Sequence, residues 1–199
     1  MGIFESERAV YRLKGEVKWG EVDYDEHTMS GAPAQTKVNY LFLTGEGDAG
    51  VKYALGRSSV EPFWGLGYKW LRRDIEHSAT GTGYLETWQS LYVKVGAHAD
   101  YGGAGPVRPF GEAALRLSVY NKNRADFGFA VVSTEPGNTV TPYVEAGLQV
   151  WRLKGSVYYE GIDFPQSAEA SADIGGTPFV FIQPKSRGHI YGAKLGASF

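Results

Sequence analysis

The sequence predicts an all-β chain, an eight-stranded antiparallel transmembrane β-barrel that occupies residues 1–199 as a single domain. Three observations carry that expectation. Apolar and polar residues alternate with a period of two in at least six segments, the pattern of a strand with one face in an apolar phase and the other in a polar one. Long polar connections alternate with short ones, as loops and turns do at the two ends of a barrel. The 27 glycines, 13 tyrosines and 5 tryptophans favour strands and tight turns over helices. No run approaches the ~20 apolar residues of a membrane-spanning helix. The mean hydropathy of -0.28 does not argue against a barrel, because only alternate residues of each membrane strand need be apolar.

The expected strands cover residues 9–22, 36–56, 60–72, 87–98, 109–121, 140–151, 153–162 and 187–199. In the first, Tyr11, Leu13, Gly15, Val17 and Trp19 oppose Arg12, Lys14, Glu16 and Lys18. The second is the least regular: Gly45-Glu46-Gly47-Asp48-Ala49-Gly50 reads as a bulge or loop inside a long strand, followed by a turn at Arg57-Ser58-Ser59. Splitting that segment would give nine strands and termini on opposite sides, which bacterial barrels disfavour. The third sets Val60, Pro62, Trp64, Leu66, Tyr68 and Trp70 against Glu61, Phe63, Gly65, Gly67 and Lys69. Leu91, Val93, Val95 and Ala97 oppose Tyr92, Lys94 and Gly96, and Ala113, Leu115, Leu117 and Val119 oppose Glu112, Ala114, Arg116 and Ser118. Val144, Ala146 and Leu148 oppose Tyr143, Glu145 and Gln149; the phase shifts at Trp151 to Leu153, after which Val157 and Tyr159 oppose Lys154, Ser156, Tyr158 and Glu160. The last strand places Tyr191, Ala193, Leu195, Ala197 and Phe199 outward and Lys194 inward.

Residues 23–33, 72–84, 121–139 and 161–187 form the long connections. Trp19, Trp64, Trp70, Trp88 and Trp151 are candidates for girdles at the lipid headgroups, where an apolar ring with a hydrogen-bonding edge is at home, and some of them for filling the interior. A net charge of -2 and a pI near 6.1 give no support to a nucleic-acid binder, which needs a concentrated basic surface. The absence of cysteine fits an envelope protein without disulfides. The bare Met1-Gly2 start, with no export signal before Glu5-Ser6-Glu7-Arg8, suits a mature chain.

With its Val60-to-Leu71 strand, the segment Trp88-Gln89-Ser90-Leu91-Tyr92-Val93-Lys94-Val95-Gly96 and the terminal Phe199, the chain resembles the small outer-membrane β-barrel proteins of Gram-negative bacteria. The resemblance covers almost the whole chain as an architectural pattern. It implies residence in the bacterial outer membrane, contact with outer-membrane lipids and lipopolysaccharide, and recognition of residues 191–199 by the outer-membrane assembly machinery. Members of that superfamily serve in adhesion, structural support, narrow transport and lipid modification, so location is implied more sharply than activity.

The assigned phases place Arg12, Lys14, Glu16, Lys18, Lys52, Glu61, Lys69, Lys94, Glu112, Arg116, Glu145, Lys154, Glu160 and Lys194 in or beside the lumen. Nine are basic and five acidic. Two readings follow: the charges pair with one another, since an unpaired ion out of water is costly, or the basic excess makes an anion-favouring constriction. The expected function is non-catalytic, a structural or surface-interaction protein whose loops carry specificity for an extracellular protein or glycan ligand. The alternative is a narrow channel for small anionic solutes. A lipid-modifying enzyme ranks third, because His27, His77, His98 and His189 match no characteristic lipid-facing His and Ser motif and His77-Ser78 is only an adjacency. No catalytic, cofactor-binding or metal-binding residue is assigned. The glycines at 45, 47, 50, 65 and 67 lack the Lys-Ser/Thr or the following helix of a phosphate loop, and those at 65 and 67 are expected to make room for Lys69, Phe63 or neighbouring inward side chains.

Overall fold

The computed structural model describes residues 2–6, 9–27, 33–77, 83–102 and 105–198, with the backbone alone for 2–6, 22–27 and 33–36. Its strands are β1 (Gly2–Ser6), β2 (Ala9–His27), β3 (Pro33–Val51), β4 (Tyr53–Leu55), β5 (Ser58–Ile75), β6 (Tyr84–Tyr101), β7 (Val107–Asp126), β8 (Val131–Thr134), β9 (Val140–Val150), β10 (Leu153–Phe164), β11 (Ala170–Ile174), β12 (Thr177–Phe181) and β13 (Ser186–Ala197). Eight of them, β2, β3, β5, β6, β7, β9, β10 and β13, pair antiparallel in chain order to make one strongly curled sheet. Here β1 folds back on the start of β2, β4 lengthens the sheet beside β5, and β8 pairs with the end of β7. A separate hairpin is formed by β11 and β12.

The curl is read from the ion pairs that cross the interior. Lys14 on β2 reaches Glu112 on β7 at 2.6 Å, and Lys18 on β2 reaches Glu160 on β10 at 2.7 Å. Strands near opposite ends of the pairing order therefore face one another. Backbone pairing does not complete the circle: among the described residues no ladder joins β13 to β2. The expected closed ring of eight strands is therefore not shown; the two ends of the sheet are linked by a side-chain bridge, Lys194 to Glu16 at 2.9 Å. The upstream edge of β2 carries β1 instead, paired from Ser6 with Ala9 to Gly2 with Leu13.

The expected alternation holds along each of the eight strands, and β2, β5, β6, β7 and β10 run longer than predicted because polar loop residues continue to pair. The irregular second segment is corrected. Gly45 to Gly50 is no loop: β3 pairs without interruption with both β2 and β5 through it. The break falls at Lys52, and the turn at Gly56-Arg57, where Gly56 adopts a φ of 65° that a side chain would resist. Pairing of β6 with β7 shifts by one residue at Val119, so that the inward positions pass from Arg116 and Ser118 to Asn121 and Asn123. The tight turn between β9 and β10 puts Trp151 at a φ of 53°. Phe199, expected to end the last strand, lies outside the described residues.

Candidate functional site

The interior has two layers. Toward the loop end, Phe42, Leu71 and Trp88 are buried and packed against Tyr40, Ile162, Phe164 and Ile190. Trp88 stacks on Phe164 with ring centroids 4.0 Å apart and donates its indole N–H to Glu86 at 2.9 Å. Of the five tryptophans Trp88 therefore fills the interior, whereas Trp19, Trp64 and Trp151 stand exposed on the outer surface. A bulky ring with a hydrogen-bonded edge closes a small lumen well, since its polar atom is satisfied inside.

Toward the turn end lies a belt of charge. Lys94 is buried, 1 % exposed, and holds Glu112 at 2.6 Å and Glu46 at 2.8 Å. Glu46 also accepts from Arg116 at 2.7 Å and from the Tyr92 hydroxyl at 2.6 Å. Glu160, equally buried, is met by Lys69, by Lys18 at 2.7 Å and by Arg116 at 2.8 Å. Arg12 clasps Glu61 through two nitrogens, and Lys14 reaches Asp48 at 3.4 Å as well as Glu112. Aromatic faces line the belt, with the Arg116 guanidinium 4.3 Å above Tyr143 and the Lys194 ammonium 4.2 Å above Tyr158. The belt is cross-linked because inward positions of all eight strands converge, and Glu46, Asp48, Glu112 and Glu160 each answer two or three cations rather than one.

Glu46 and Asp48 change the charge balance. Sequence reasoning missed them because acids between glycines read as a turn, yet they continue the inward series of Phe42 and Thr44. With them the belt holds seven carboxylates, at 16, 46, 48, 61, 112, 145 and 160, against eight cations, at 12, 14, 18, 69, 94, 116, 154 and 194. The predicted lumenal Lys52 stands apart, half-buried in the break between β3 and β4. The glycines opposite the belt have a steric reason. A Cβ on Gly67 would sit 2.3 Å from the Tyr92 ring and one on Gly65 would sit 2.2 Å from Asp48. Of the expected Lys69, Phe63 or neighbouring inward side chains, the ones accommodated are thus neighbours, Tyr92 and Asp48.

A cavity of about 650 Å³ opens along the seam between β2 and β13. Arg12, Lys14, Glu145, Lys154, Ser156 and Lys194 line its floor, and Val17, Trp19, Ala193, Leu195 and Ala197 form its lips. Lys194 spans it to Glu16 at 2.9 Å, touches the Tyr143 hydroxyl at 2.9 Å and approaches Glu145 at 3.7 Å. Glu145 is further held by Ser156 at 2.7 Å and by the Tyr143 hydroxyl.

The histidines do not converge. His98 contacts Asp100 at 3.1 Å and stacks on Phe110 inside the turn end, His189 bonds the Tyr159 hydroxyl at 2.9 Å on the outer face, and Nδ1 of His77 accepts from the Gly83 N–H at 3.1 Å at the loop end. None of the three is bonded to a serine or threonine hydroxyl among the described residues; Ser78 and the side chain of His27 lie outside them. No group of three or more His, Asp or Glu residues suited to a metal ion occurs among the described residues. Compared with known families and with curated proteins, the chain matches no family model and no curated protein.

Proposed function

We propose that the chain is a bacterial outer-membrane β-barrel with a structural or surface-interaction role, its eight strands closing in the bilayer and its loop end meeting the partner. The observation that carries this reading is the inverted polarity of the sheet. Leu13, Trp19, Trp64, Leu66, Leu115 and Leu195 are exposed on the outside, while Lys94, Glu46, Arg116 and Glu160 are buried within. Water on the outer face would leave that much contiguous apolar surface uncovered. Lipid covers it, and the curl hides the charges from the hydrocarbon.

The loop end supports an interaction role. The connection after β7 and the one after β10 hold each other: Asn123 donates to Gln183 at 2.9 Å, Phe127 stacks on Phe181 at 5.9 Å, and Pro136 bridges to Ser167. This ordered platform leaves Phe129, Phe179, Val180 and Ile182 exposed, a set suited to an extracellular protein or the apolar faces of a glycan. The near-balance of the charge belt favours a filled, structural interior over a conducting one. Lipopolysaccharide and the assembly machinery are the further partners that an outer-membrane address brings.

Heat-modifiable mobility in detergent gels and protease protection in lipid vesicles are the expected results. A monodisperse folded chain without detergent would overturn the membrane reading. Replacing Phe129, Phe179 and Val180 with serine should leave insertion intact and abolish a surface phenotype; an unchanged phenotype in adhesion, complement and envelope-stress assays would count against the platform. Planar bilayers should stay electrically silent, and a steady conductance altered by Arg116→Ala would replace this reading with the channel.

A further inference from the structure

We infer that the seam cavity is a binding site for an anionic amphiphile, with Lys154 holding the acidic headgroup and the lips of β2 and β13 holding its chain. The inference rests on the membrane reading above and adds a ligand to it. Three independent features meet at the site. The first is room: about 650 Å³ lies between β2 and β13, which share no backbone ladder among the described residues; β1 covers the β2 edge only as far as Leu13, and the cavity reaches the wall of the sheet beyond it, at Gly15 to Trp19.

The second is charge. Every other cation of the belt has a carboxylate within 4 Å among the described residues, from Arg12 on Glu61 to Lys194 on Glu16. Lys154 has none, and its ammonium rests 4.9 Å above the Phe110 ring instead. A cation–π contact offsets only part of the cost of drawing an ammonium away from water. Asp100 and Glu145 act on Lys154 only from farther off, so the belt lacks one direct ion contact, and that gap is in the cavity wall. One monoanionic group from outside the chain completes it.

The third is the polarity of the rim. A free anion would need a wet approach, but the seam is bordered on the outside by Val17, Trp19 and Leu195, of which Leu195 is 95 % exposed and Trp19 80 %. A ligand reaching Lys154 through that opening leaves the rest of itself against apolar side chains. The match is a phosphate or carboxylate attached to an acyl chain, that is, an anionic lipid. Gly15 and Gly196, which flank the seam, have nothing within 4 Å of where a Cβ would stand, so the chain can pass without displacing protein.

The test is a native mass-spectrometric titration of the purified, detergent-solubilised chain with dodecyl phosphate, with inorganic phosphate and the uncharged dodecyl maltoside as comparison probes. Dodecyl phosphate should bind with a stoichiometry of one. Lys154→Met should weaken it at least tenfold and Lys154→Arg should restore it, while Leu195→Ser with Val17→Ser weakens dodecyl phosphate and leaves inorganic phosphate unbound as before. Because no carboxylate of the described residues lies within 4 Å of Lys154, removing it breaks no direct ion pair, and an unchanged heat-modifiable band confirms that each variant folds. Binding indifferent to Lys154, or inorganic phosphate binding as tightly as dodecyl phosphate, overturns the inference. Failure of the membrane reading shows separately, as a chain that stays folded and monodisperse without detergent; the same titration then reads Lys154 directly in buffer.

Discussion

The contact between β6 and β7 and the contact between β2 and β13 are made in different ways. In the first, the backbones pair from Leu85 with Asp126 down to Asp100 with Phe110, and Lys94 and Arg116 sit opposite one another on the inner face, each held by Glu46. In the second there is no backbone ladder among the described residues, and the edges are held by Lys194 on Glu16 and by Lys18, which joins Glu16 at 3.2 Å to Glu160 on β10. A ladder fixes strand spacing near 4.8 Å and satisfies every amide along it. Long charged side chains tolerate a wider gap and leave edge amides unspent. The sheet is therefore rigid through its middle and compliant along one line.

The largest expected effect is in the belt. Glu160→Ala strands Lys18, Lys69 and Arg116 around an empty site and should cost about 3–5 kcal/mol of unfolding free energy in urea titrations from lipid vesicles, the usual loss when one partner of a buried ion cluster is removed. A cost under 1 kcal/mol would mean that water enters the belt freely. Next comes the outer face. Leu115→Arg in the laddered region and Leu195→Lys on the seam should each cost about 2–4 kcal/mol if near the bilayer midplane. Both being neutral would place that face in water. If Leu195→Lys matched the parent while Leu115→Arg did not, the seam alone would be wet.

Packing gives a smaller contrast. Gly67→Ala drives a methyl into the Tyr92 ring and should cost about 1–3 kcal/mol, whereas Gly15→Ala on the seam meets nothing and should be close to neutral. Equal costs would show the seam to be as tightly filled as the ladder. Smallest of all, Lys194→Met or Glu16→Gln should cost about 1 kcal/mol or less, because both side chains remain partly exposed. Amide exchange should report the same difference: the Lys94–Arg116 ladder protected to the global limit, the facing edges of β2 and β13 exchanging sooner. Uniform protection would argue for a closed ladder.

The inward and outward phase of each strand was legible from residues such as Arg12, Lys94 and Tyr143, because a period of two survives any twist of the sheet. What escaped was either compositional or non-local. Glu46 and Asp48 hid among glycines that read as a turn, although Gly45, Gly47 and Gly50 lie in a continuously paired strand and Gly50 makes room for Glu61. The one-residue shift at Val119 left no mark, since Val119 is apolar and outward on either count. Trp88 shares its parity with Tyr92 and Lys94, so its inward direction could have been read. The missing ladder between β2 and β13 could not, because no local pattern says whether the two edges come within bonding distance.

Strand length has a consequence for how the molecule stands. The five strands β2, β3, β5, β6 and β7 run 18 to 20 residues, but β9, β10 and β13 only 11 or 12. All are level at the turn end, where Val107 faces Val150 and Leu153 faces both Val150 and Ala197. On the proposed membrane reading, where a tilted strand of ~9–11 residues suffices to cross, the short three would end near the far surface and the long five would continue roughly 20 Å beyond it at ~3.3 Å per residue. The wall is therefore uneven, continuous strand on one flank and, on the other, short strands topped by the connections that carry β8, β11 and β12. On the same reading, a partner arriving from outside the cell would meet connecting segments over the short flank and strand wall over the tall one.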